Sequence, residues 1–405
     1  MDFFNNLILN SENLKNNIKI IKNIANGKKI CAMVKANAYG HGVGFAVLNL
    51  KNYVDFFGVA NSVEALEVRH YAQKAKILVC GKVQTECIEK MVEQNISFTV
   101  FSAKNLFEII SVCKKNNIKA NVHIKLNTGM NRLGIKTKSQ FLKMLNIIHI
   151  NQKFVHLEGV YSHLFNSAHD GLSRTQYYRF LDLLNCINIY NQKQIWQNKV
   201  GKDNFKHIKN RKCRLLNNYS KNQNQKCSNK NAFDFKSLFI HLENSAGLFN
   251  NIDFLNVCNM ARVGIALYGL EIKGKGLKPV LELNSCIEQI QKVNFEDYVG
   301  YGKTIIDHNG KVAIVPVGYA DGIVRAYKDF CVLVGGTYCK ILNVCMDSIL
   351  IDITSAKAKV GDSVCIISSN QKAQNNANQI AKHLGTISYE VLTNLNHKRF
   401  NLIIN

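Results

Sequence analysis

The 405-residue sequence lacks the features that define several classes of protein. It has two prolines, Pro279 and Pro316, which excludes a collagen-like chain, and neither marks a flexible linker. No apolar run approaches the roughly 18 residues of a membrane-spanning helix. The opening residues lack a basic segment that leads into an apolar one, so we expect no secretory signal. We therefore expect a protein that is neither collagenous, transmembrane nor exported.

Cysteine and histidine are present, but not in disulfide or metal-binding patterns. Among 13 cysteines there is no Cys-x-x-Cys pair, and the 12 histidines form no His-Glu-x-x-His motif. Most cysteines lie in apolar stretches, as Cys31, Cys80, Cys345 and Cys365 do. We expect reduced thiols that pack as small core residues, because a disulfide framework is unusual in so long a chain without an export signal. The sequence predicts free thiols in a cytoplasmic protein and no metal site.

The composition predicts a folded protein with one unusual basic segment. Hydrophobic residues make up 47% of the chain and charged residues 20%, which suits a large core. The net charge is +24, and residues 191–230 alone carry eleven Lys or Arg against one acid. These forty residues are rich in Asn and Gln and show no apolar period. We expect a solvated, mobile insertion there, the alternative being an arm that binds RNA or a partner protein.

Short β-branched runs alternate with helix-like segments over the first two thirds of the chain. The clearest helix signal is "NSVEALEVRHYAQK", where Asn61 can cap the first turn and Glu64 can complete a capping box. Eight strands alternating with helices favour a (β/α)₈ TIM-type barrel, although a doubly wound sheet has a similar pattern. The predicted strands are 29–34, 56–60, 76–79, 97–101, 121–126, 157–161, 237–242 and a weaker one near 257–267.

After residue 277 the pattern becomes mostly β. Strand-like runs such as "KVAIVPVG", "DFCVLVGG" and "DSVCIISS" are separated by turn residues, and one good helix lies near "NQIAKHLG". The sequence therefore predicts two domains, an α/β barrel over residues 1–277 and a mostly β C-terminal domain over residues 278–405.

The segment "VKANAYGHG" (34–42), at the end of the first predicted barrel strand, carries the most specific chemistry. A lysine leaving a buried strand into a loop of small residues, a tyrosine and glycines is an unusual choice for packing. This segment resembles the pyridoxal 5'-phosphate (PLP) attachment motif of alanine racemases. The resemblance implies that Lys35 forms the internal aldimine and that Tyr39 reaches the cofactor phosphate.

Further segments resemble the same family in the same order, and only the basic insertion has no counterpart. They are "IKLNTGMNRLG", "GVYSHLFNSA", "HLENSAG", "NMARVGIALYG", "VGYGKT", "GYADG", "CMDSILIDI" and "TISYEVLTNL". The implied catalytic residues are Lys35 and Tyr301. The implied cofactor-binding residues are Lys35, Tyr39, His163, Asn244, Ser245, Arg262, Gly264, Ile265 and Tyr389. The implied substrate-binding residues are Arg132, Met346, Asp347 and Tyr319.

The resemblance implies a two-base mechanism that interconverts L-alanine and D-alanine and supplies D-alanine for peptidoglycan. Lys35 would serve the D side and Tyr301 the L side, with Arg132 and His163 beside the tyrosine. Arg262 would face the pyridine nitrogen and leave it unprotonated, which restrains transamination. The family's active site is completed by the C-terminal domain of a partner subunit, so the resemblance implies a homodimer. We expect a cytoplasmic enzyme with no membrane partner and no nucleic-acid partner.

The sequence departs from the family pattern in three places. Val263 follows Arg262 where proline is usual, Asn127 stands where many members have aspartate, and Arg399 is the nearest equivalent of an Arg-rich ending. In several members the lysine corresponding to Lys125 is carbamylated, and Asn127 leaves that modification open here. The alternatives are a serine or broad-specificity racemase, a decarboxylase on the same scaffold, a PLP homeostasis protein without the β domain, and a nucleic-acid-binding protein.

Overall fold

The computed structural model describes residues 5–167, 170–200, 233–250, 256–272, 274–302 and 304–405. The chain divides into two compact units. The first comprises Met1–Cys80, Asn244–Asn251 and Ala261–Asn405, and the second comprises Gly81–Glu243 and Ile252–Met260. Within the described ranges, no helix combines the length and the apolar character needed to cross a lipid bilayer.

The predicted α/β barrel is confirmed. After β1 (Asn6–Leu9), eight strands form one parallel sheet in the order β8-β7-β6-β5-β4-β3-β2-β9. They are β2 (Lys29–Met33), β3 (Phe56–Val59), β4 (Lys76–Val79), β5 (Ile96–Val100), β6 (Ala120–Lys125), β7 (Val155–Tyr161), β8 (Phe239–His241) and β9 (Met260–Val263). The eighth strand is shorter than predicted, because a 3₁₀ turn over Ile265–Tyr268 follows it.

The barrel strands are apolar because helices cover one face and the barrel core covers the other. Every residue of β3 ("FFGV") and β5 ("ISFTV") is buried. Near the last strand, the Asn259 side chain accepts a hydrogen bond from Ile240 N at 2.8 Å and donates one to Leu238 O at 2.8 Å. Asn259 therefore fastens the residues before β9 to the backbone of β8.

Helices alternate with the barrel strands, and polar side chains cap several of them. Asn61 caps α4 as predicted, since its Oδ1 accepts from Glu64 N at 3.0 Å. The predicted capping box is not formed, because the Glu64 carboxylate accepts from Ala60 N and Ala36 N instead. The helical segments are α1 (Ser11–Ala25), α2 (Lys35–Gly40), α3 (Val43–Leu50), α4 (Ser62–Tyr71), α5 (Ile88–Glu93), α6 (Ala103–Asn116), α7 (Lys138–Ile150), α8 (Asp170–Val200) and α9 (Ser245–Phe249).

A nine-stranded sheet, in the order β11-β12-β15-β14-β13-β16-β10-β1-β17, forms the mostly β part. Burial alternates along β10 and β15, as in sheets with one face on the core. Its other elements are β10 (Leu281–Cys286), β11 (Gln289–Val293), β12 (Gly310–Val315), β13 (Cys331–Val334), β14 (Thr337–Val344), β15 (Ile349–Asp352), β16 (Ser363–Ile367), β17 (Asn401–Ile404), α10 (Ala377–His383) and α11 (Ser388–Thr393).

Three features of these elements differ from the sequence-based expectations. β1, at the start of the chain, joins the nine-stranded sheet by pairing with β10 and β17. A second helix, α11, follows the predicted α10. Residues 191–200 are the last part of α8, so the predicted loop is helical there. The expectation for residues 201–230 lies outside the described residues, and the domain boundary at 277/278 stays a prediction.

Eleven cysteines lie in the described ranges, and all are free thiols. Five of them are buried, including Cys31, whereas Cys80, Cys345 and Cys365 are only partly buried. The expectation of free thiols agrees with these eleven, whereas the expected place in the core holds for five of them.

Candidate active site

Lys35 begins a strained turn two residues beyond the end of β2. The next four residues, Ala36 to Tyr39, have φ between 50° and 56° and ψ between 38° and 56°, the left-handed helical region. This conformation costs roughly 1–2 kcal/mol for each residue that carries a Cβ. Such strain persists only where the surroundings over-determine the backbone, and it concentrates at functional sites.

Side chains of the same motif hold this left-handed turn. Asn37 Oδ1 accepts from Val43 N at 2.9 Å, and His41 Nδ1 lies 3.1 Å from both Ala38 O and Tyr39 O. His41 is fully buried, which lowers its pKa to about 3, so its imidazole is neutral. Because both partners of Nδ1 are carbonyl oxygens, Nδ1 carries the hydrogen and donates it to them.

Tyr39, Ser245 and Gly264 converge on one place within the first unit. Gly264 N donates to Ser245 Oγ at 3.0 Å. A methyl group at Gly264 would lie 2.4 Å from the Tyr39 hydroxyl, so any larger residue there would displace the Tyr39 side chain. Two hydroxyl groups and a backbone amide are the donors that a phosphate group requires. They form a small cradle, and its Tyr39 is only four residues along the chain from Lys35.

The other predicted cofactor residues of this unit are placed by α9, β9 and the turn that follows. Asn244 caps α9 by accepting from Gly247 N at 2.9 Å. Arg262 is buried within β9, and Ile265 is buried at the start of the 3₁₀ turn. Burial raises the pKa of Tyr39 well above its usual range, whereas the charge of Arg262 acts in the opposite direction. Arg262 is therefore close enough to influence the Tyr39 hydroxyl.

Tyr389 approaches Tyr39 from α11. The ring centroids of Tyr39 and Tyr389 are 5.6 Å apart, and those of Tyr39 and Tyr268 are 5.3 Å apart. Burial, with a further contribution from the charge of Glu271, raises the pKa of Tyr389 to about 12. Glu271 also accepts from Ser388 N at 3.3 Å, which fixes the start of α11. Tyr389 was among the predicted site residues, whereas Tyr268 and Glu271 were not.

Tyr319, Met346 and Asp347 come together on two adjacent loops of the nine-stranded sheet. Tyr319 N donates to Cys345 O at 3.0 Å, and Ala320 N donates to Met346 O at 2.9 Å. Arg399 then links the loops, because its Nε lies 2.7 Å from Asp321 Oδ1 and its Nη2 lies 2.8 Å from Asp347 Oδ1. Arg399, which the sequence offered only as the remnant of an Arg-rich ending, orders this group.

Tyr301 is held beside these loops by a buried asparagine. Asn343 Nδ2 donates to Val299 O at 2.8 Å and to Tyr301 O at 2.6 Å. The Tyr301 side chain is nevertheless 67% exposed, and no hydrogen bond or ion pair joins it to Lys35 within the described ranges. The two predicted bases are therefore not brought together by hydrogen bonding within one chain.

Arg132 and His163 belong to the second unit. Arg132 is exposed on the loop after β6, where Asn127 Oδ1 accepts from Gly129 N and Asn131 N, both at 3.1 Å. The Asn127 side-chain oxygen thus shapes this loop, a role that an aspartate oxygen could fill equally well. His163 follows β7, and its carbonyl accepts from Gln176 Nε2 at 2.9 Å.

A buried polar chain inside the second unit was not anticipated. His123 Nδ1 lies 3.0 Å from His241 Nε2, and His123 Nε2 lies 3.1 Å from Glu158 Oε2. The His241 ring stacks on the Tyr161 ring, with the two centroids 4.7 Å apart. Lys125 Nζ lies 5.5 Å from the centroid of the Tyr161 ring. The sequence signal for this buried chain was a histidine within an otherwise apolar strand, as in "NVHIKL". Within the described ranges, no group of three or more His, Cys, Asp or Glu residues could hold a metal ion.

Two family descriptions match this chain. "Alanine racemase, N-terminal domain" matches residues 9–196, and "Alanine racemase, C-terminal domain" matches residues 280–403. The chain belongs to the alanine racemase family. An alanine racemase of Francisella philomiragia is 32% identical over 97% of this chain and 98% of its own length. One from Staphylococcus epidermidis is 30% identical over 92% of this chain and 87% of its own length.

Solved structures of alanine racemases share the fold of this family member. The alanine racemase of Clostridium difficile 630 superposes with a TM-score of 0.79 at 27% identity, covering 100% of this chain and 97% of that one. The alanine racemase of Bacillus anthracis with bound L-Ala-P gives a TM-score of 0.79 at 25% identity, covering 100% and 96%. The likeness therefore extends over the whole of this chain and over at least 96% of each of these two neighbours.

Proposed function

We propose that this protein is an alanine racemase that interconverts L-alanine and D-alanine. The observation that carries the proposal is the left-handed turn, which starts at Lys35 and delivers Tyr39 to Ser245 and Gly264. A lysine that begins the same turn as a phosphate-binding tyrosine is the arrangement that a PLP enzyme needs. The chain's membership of the alanine racemase family supports the choice of alanine as substrate.

The residues of the first unit fit PLP. Tyr39, Ser245 and the Gly264 amide would bind its phosphate, with Asn244 and Ile265 shaping the same turn and Tyr389 closing the site beside Tyr39. When bound, PLP supplies the electron sink that makes the α-proton of an amino acid removable. Lys35 Nζ has no ion-pair partner within the described ranges, which suits a lysine that forms a covalent bond to the cofactor.

Two bases on opposite faces of the substrate would move the proton. We propose that Lys35 acts on the D side and Tyr301 on the L side, because racemisation requires removal from one face and return on the other. Arg132 would bind the substrate carboxylate, and Met346, Asp347 and Tyr319 would line the substrate side. His163 would assist near the cofactor. Arg262 would donate to the ring nitrogen without giving up its own proton, because a guanidinium stays charged.

A second copy of the chain would complete the site. Exposed apolar side chains cluster around the loops that Asn343 and Arg399 hold, and Tyr301, Met346 and Tyr319 are 67%, 51% and 39% exposed. Phe295, Tyr298 and Ile305 add to the same exposed set. Exposed apolar groups of this extent mark interaction surfaces. We therefore propose a homodimer in which the C-terminal domain, residues 278–405, faces the barrel, residues 1–277, of the partner.

The cellular role follows from the reaction. D-alanine is a component of peptidoglycan, so we propose that the enzyme supplies cell-wall synthesis from the cytoplasm. The free state of all eleven cysteines in the described ranges supports a reducing compartment, because disulfides form and persist in oxidising ones.

The proposal is tested by trapping the cofactor lysine. When PLP-loaded wild-type protein is reduced with borohydride, the cofactor should stay covalently attached to Lys35 as a label. Lys35→Ala should lose both this label and the racemisation of D- and L-alanine. Two parallel assays test the alternatives. Racemisation of serine would indicate a broader racemase, and release of carbon dioxide would indicate a decarboxylase. A label on another lysine, or unchanged racemisation by Lys35→Ala, would overturn the assignment.

A further inference from the structure

One carboxylate outside the predicted site holds the backbone next to Lys35. Glu64, in the first turn of α4, accepts from Ala36 N through Oε1 at 2.9 Å and from Ala60 N through Oε2 at 2.7 Å. Ala36 is the first left-handed residue after Lys35, and Ala60 directly follows β3. Glu64 therefore joins the start of the left-handed turn to the neighbouring barrel strand.

The Ala36 N–H needs an acceptor from elsewhere in the chain. The first N–H groups of any helical turn have no partner within the turn, whereas later ones do, as Ala38 N donates to Val34 O at 2.9 Å. Two other side chains also hold this turn. Asn37 accepts from Val43 N, and His41 donates to the carbonyl oxygens of Ala38 and Tyr39. Within the described ranges, Glu64 is therefore the side chain that accepts from the turn's backbone right next to Lys35.

A carboxylate suits this position better than any neutral group. It offers one oxygen to each of two N–H donors, and hydrogen bonds to an ionised acceptor are shorter and stronger than neutral ones. A glutamine would present an NH₂ group to one of the two donors, so only one bond would survive. The strain of four left-handed residues makes the loss matter, because the turn depends on contacts from outside it.

We propose that Glu64 is a positioning residue for Lys35. By fixing the backbone at Ala36, it directs the lysine side chain toward the cradle formed by Tyr39, Ser245 and Gly264. The inference rests on the proposed function, since it presumes that Lys35 carries PLP. A positioning role predicts an effect on the attachment of PLP itself, beyond any effect on the stability of α4.

The test uses Glu64→Gln with two matched controls. Glu67→Gln makes the same chemical change at an exposed position of α4. Asn61→Ala removes the α4 cap but leaves the Glu64–Ala36 bond. Full-length apoprotein is titrated with PLP, and the lysine-bound form is followed by its absorbance, giving a dissociation constant and a rate of attachment. Chemical unfolding of each apoprotein gives the stability.

Glu64→Gln should weaken PLP binding or slow its attachment about tenfold, whereas Glu67→Gln should match the wild type. Asn61→Ala should lose stability and keep wild-type PLP binding. If Glu64→Gln does not fold, Glu64→Asp, which keeps the charge but is too short for both donors, should show the same loss. Wild-type affinity and rate in Glu64→Gln or in folded Glu64→Asp would overturn the inference. A wild-type protein that borohydride does not label at Lys35 would instead overturn the proposed function.

Discussion

Tyr301 and Lys35 carry different halves of the proposed reaction, so their substitutions should be distinguishable. Tyr301→Phe removes the hydroxyl that would exchange a proton on the L side but leaves Lys35 and the cradle intact. Solvent exchange of the α-hydrogen should fall at least a hundredfold for L-alanine and much less for D-alanine, since general acid–base groups contribute about 10²–10⁴-fold. Exchange is measured by NMR in deuterated buffer. Equal losses for both enantiomers at unchanged PLP affinity would contradict the two-base assignment.

His41 makes the left-handed turn sensitive to acid. Its folded pKa is lowered from 6.5 to about 3 by burial, so below pH 6.5 the unfolded chain takes a proton at His41 that the folded chain refuses. The stability that depends on neutral His41 is present above pH 6.5 and is lost as the pH falls. In denaturant titrations, the wild type should lose about 1.4 kcal/mol per pH unit more than His41→Gln below pH 6.5. Parallel pH dependences would show that His41 titrates normally.

At the scale of elements, α2 and α11 meet without room for a side chain. A methyl group at Gly40, where φ is +78°, would lie 2.0 Å from Leu392 O in α11. His397 adds a bond across the same contact, as its Nε2 lies 2.7 Å from Gly40 O. Because α11 carries Tyr389 and α2 carries Lys35 and Tyr39, this close approach assembles part of the candidate site.

Gly40→Ala should therefore cost more than backbone strain alone. Gly27→Ala is the matched control, since Gly27 has φ +84° and nothing within 4 Å of its added methyl group. The control should lose about 1–2 kcal/mol of unfolding free energy from left-handed strain. Gly40→Ala should lose at least about 1–3 kcal/mol more from overpacking, together with PLP affinity. Chemical unfolding and PLP titration measure both effects, and equal losses in the two variants would show that α2 and α11 can separate freely.

At the scale of the whole molecule, the exposed position of Tyr301 predicts that active sites are shared between subunits. A mixed dimer of Lys35→Ala and Tyr301→Phe chains would contain one site with both wild-type groups and one with neither. After subunit exchange, a 1:1 mixture of the two inactive variants should regain about a quarter of wild-type racemase activity, because random pairing makes half the dimers mixed.

The mixing experiment also has a clear negative result. Each variant alone, taken through the same dissociation and reassociation, should stay inactive. If mass spectrometry shows mixed dimers and racemisation is still absent, the two bases belong to one subunit. In that case the exposed face around Met346 and Tyr319 would serve a different partner.

The local sequence determined the barrel strands and many candidate site positions. Period and composition located all eight barrel strands, because strands buried on both faces read as short apolar runs. The motif order placed Lys35, His163 and Asn244 at strand ends, as the structure has them. These features depend on residues close together in the chain. The strand β1 was missed for the opposite reason, since its partners β10 and β17 lie more than 270 residues away.

Only the tertiary structure decided which side chains support these positions. The sequence pattern predicted that Glu64 completes a capping box, whereas in the structure its carboxylate accepts from Ala36 N, 28 residues away. Asn343 and Arg399 carried no local signal for holding Tyr301 and Asp347. A hydrogen bond between distant residues depends on where the fold brings two backbones, and no local period encodes that. The sequence thus determined the chemistry that the chain carries, and the tertiary contacts decided how that chemistry is held.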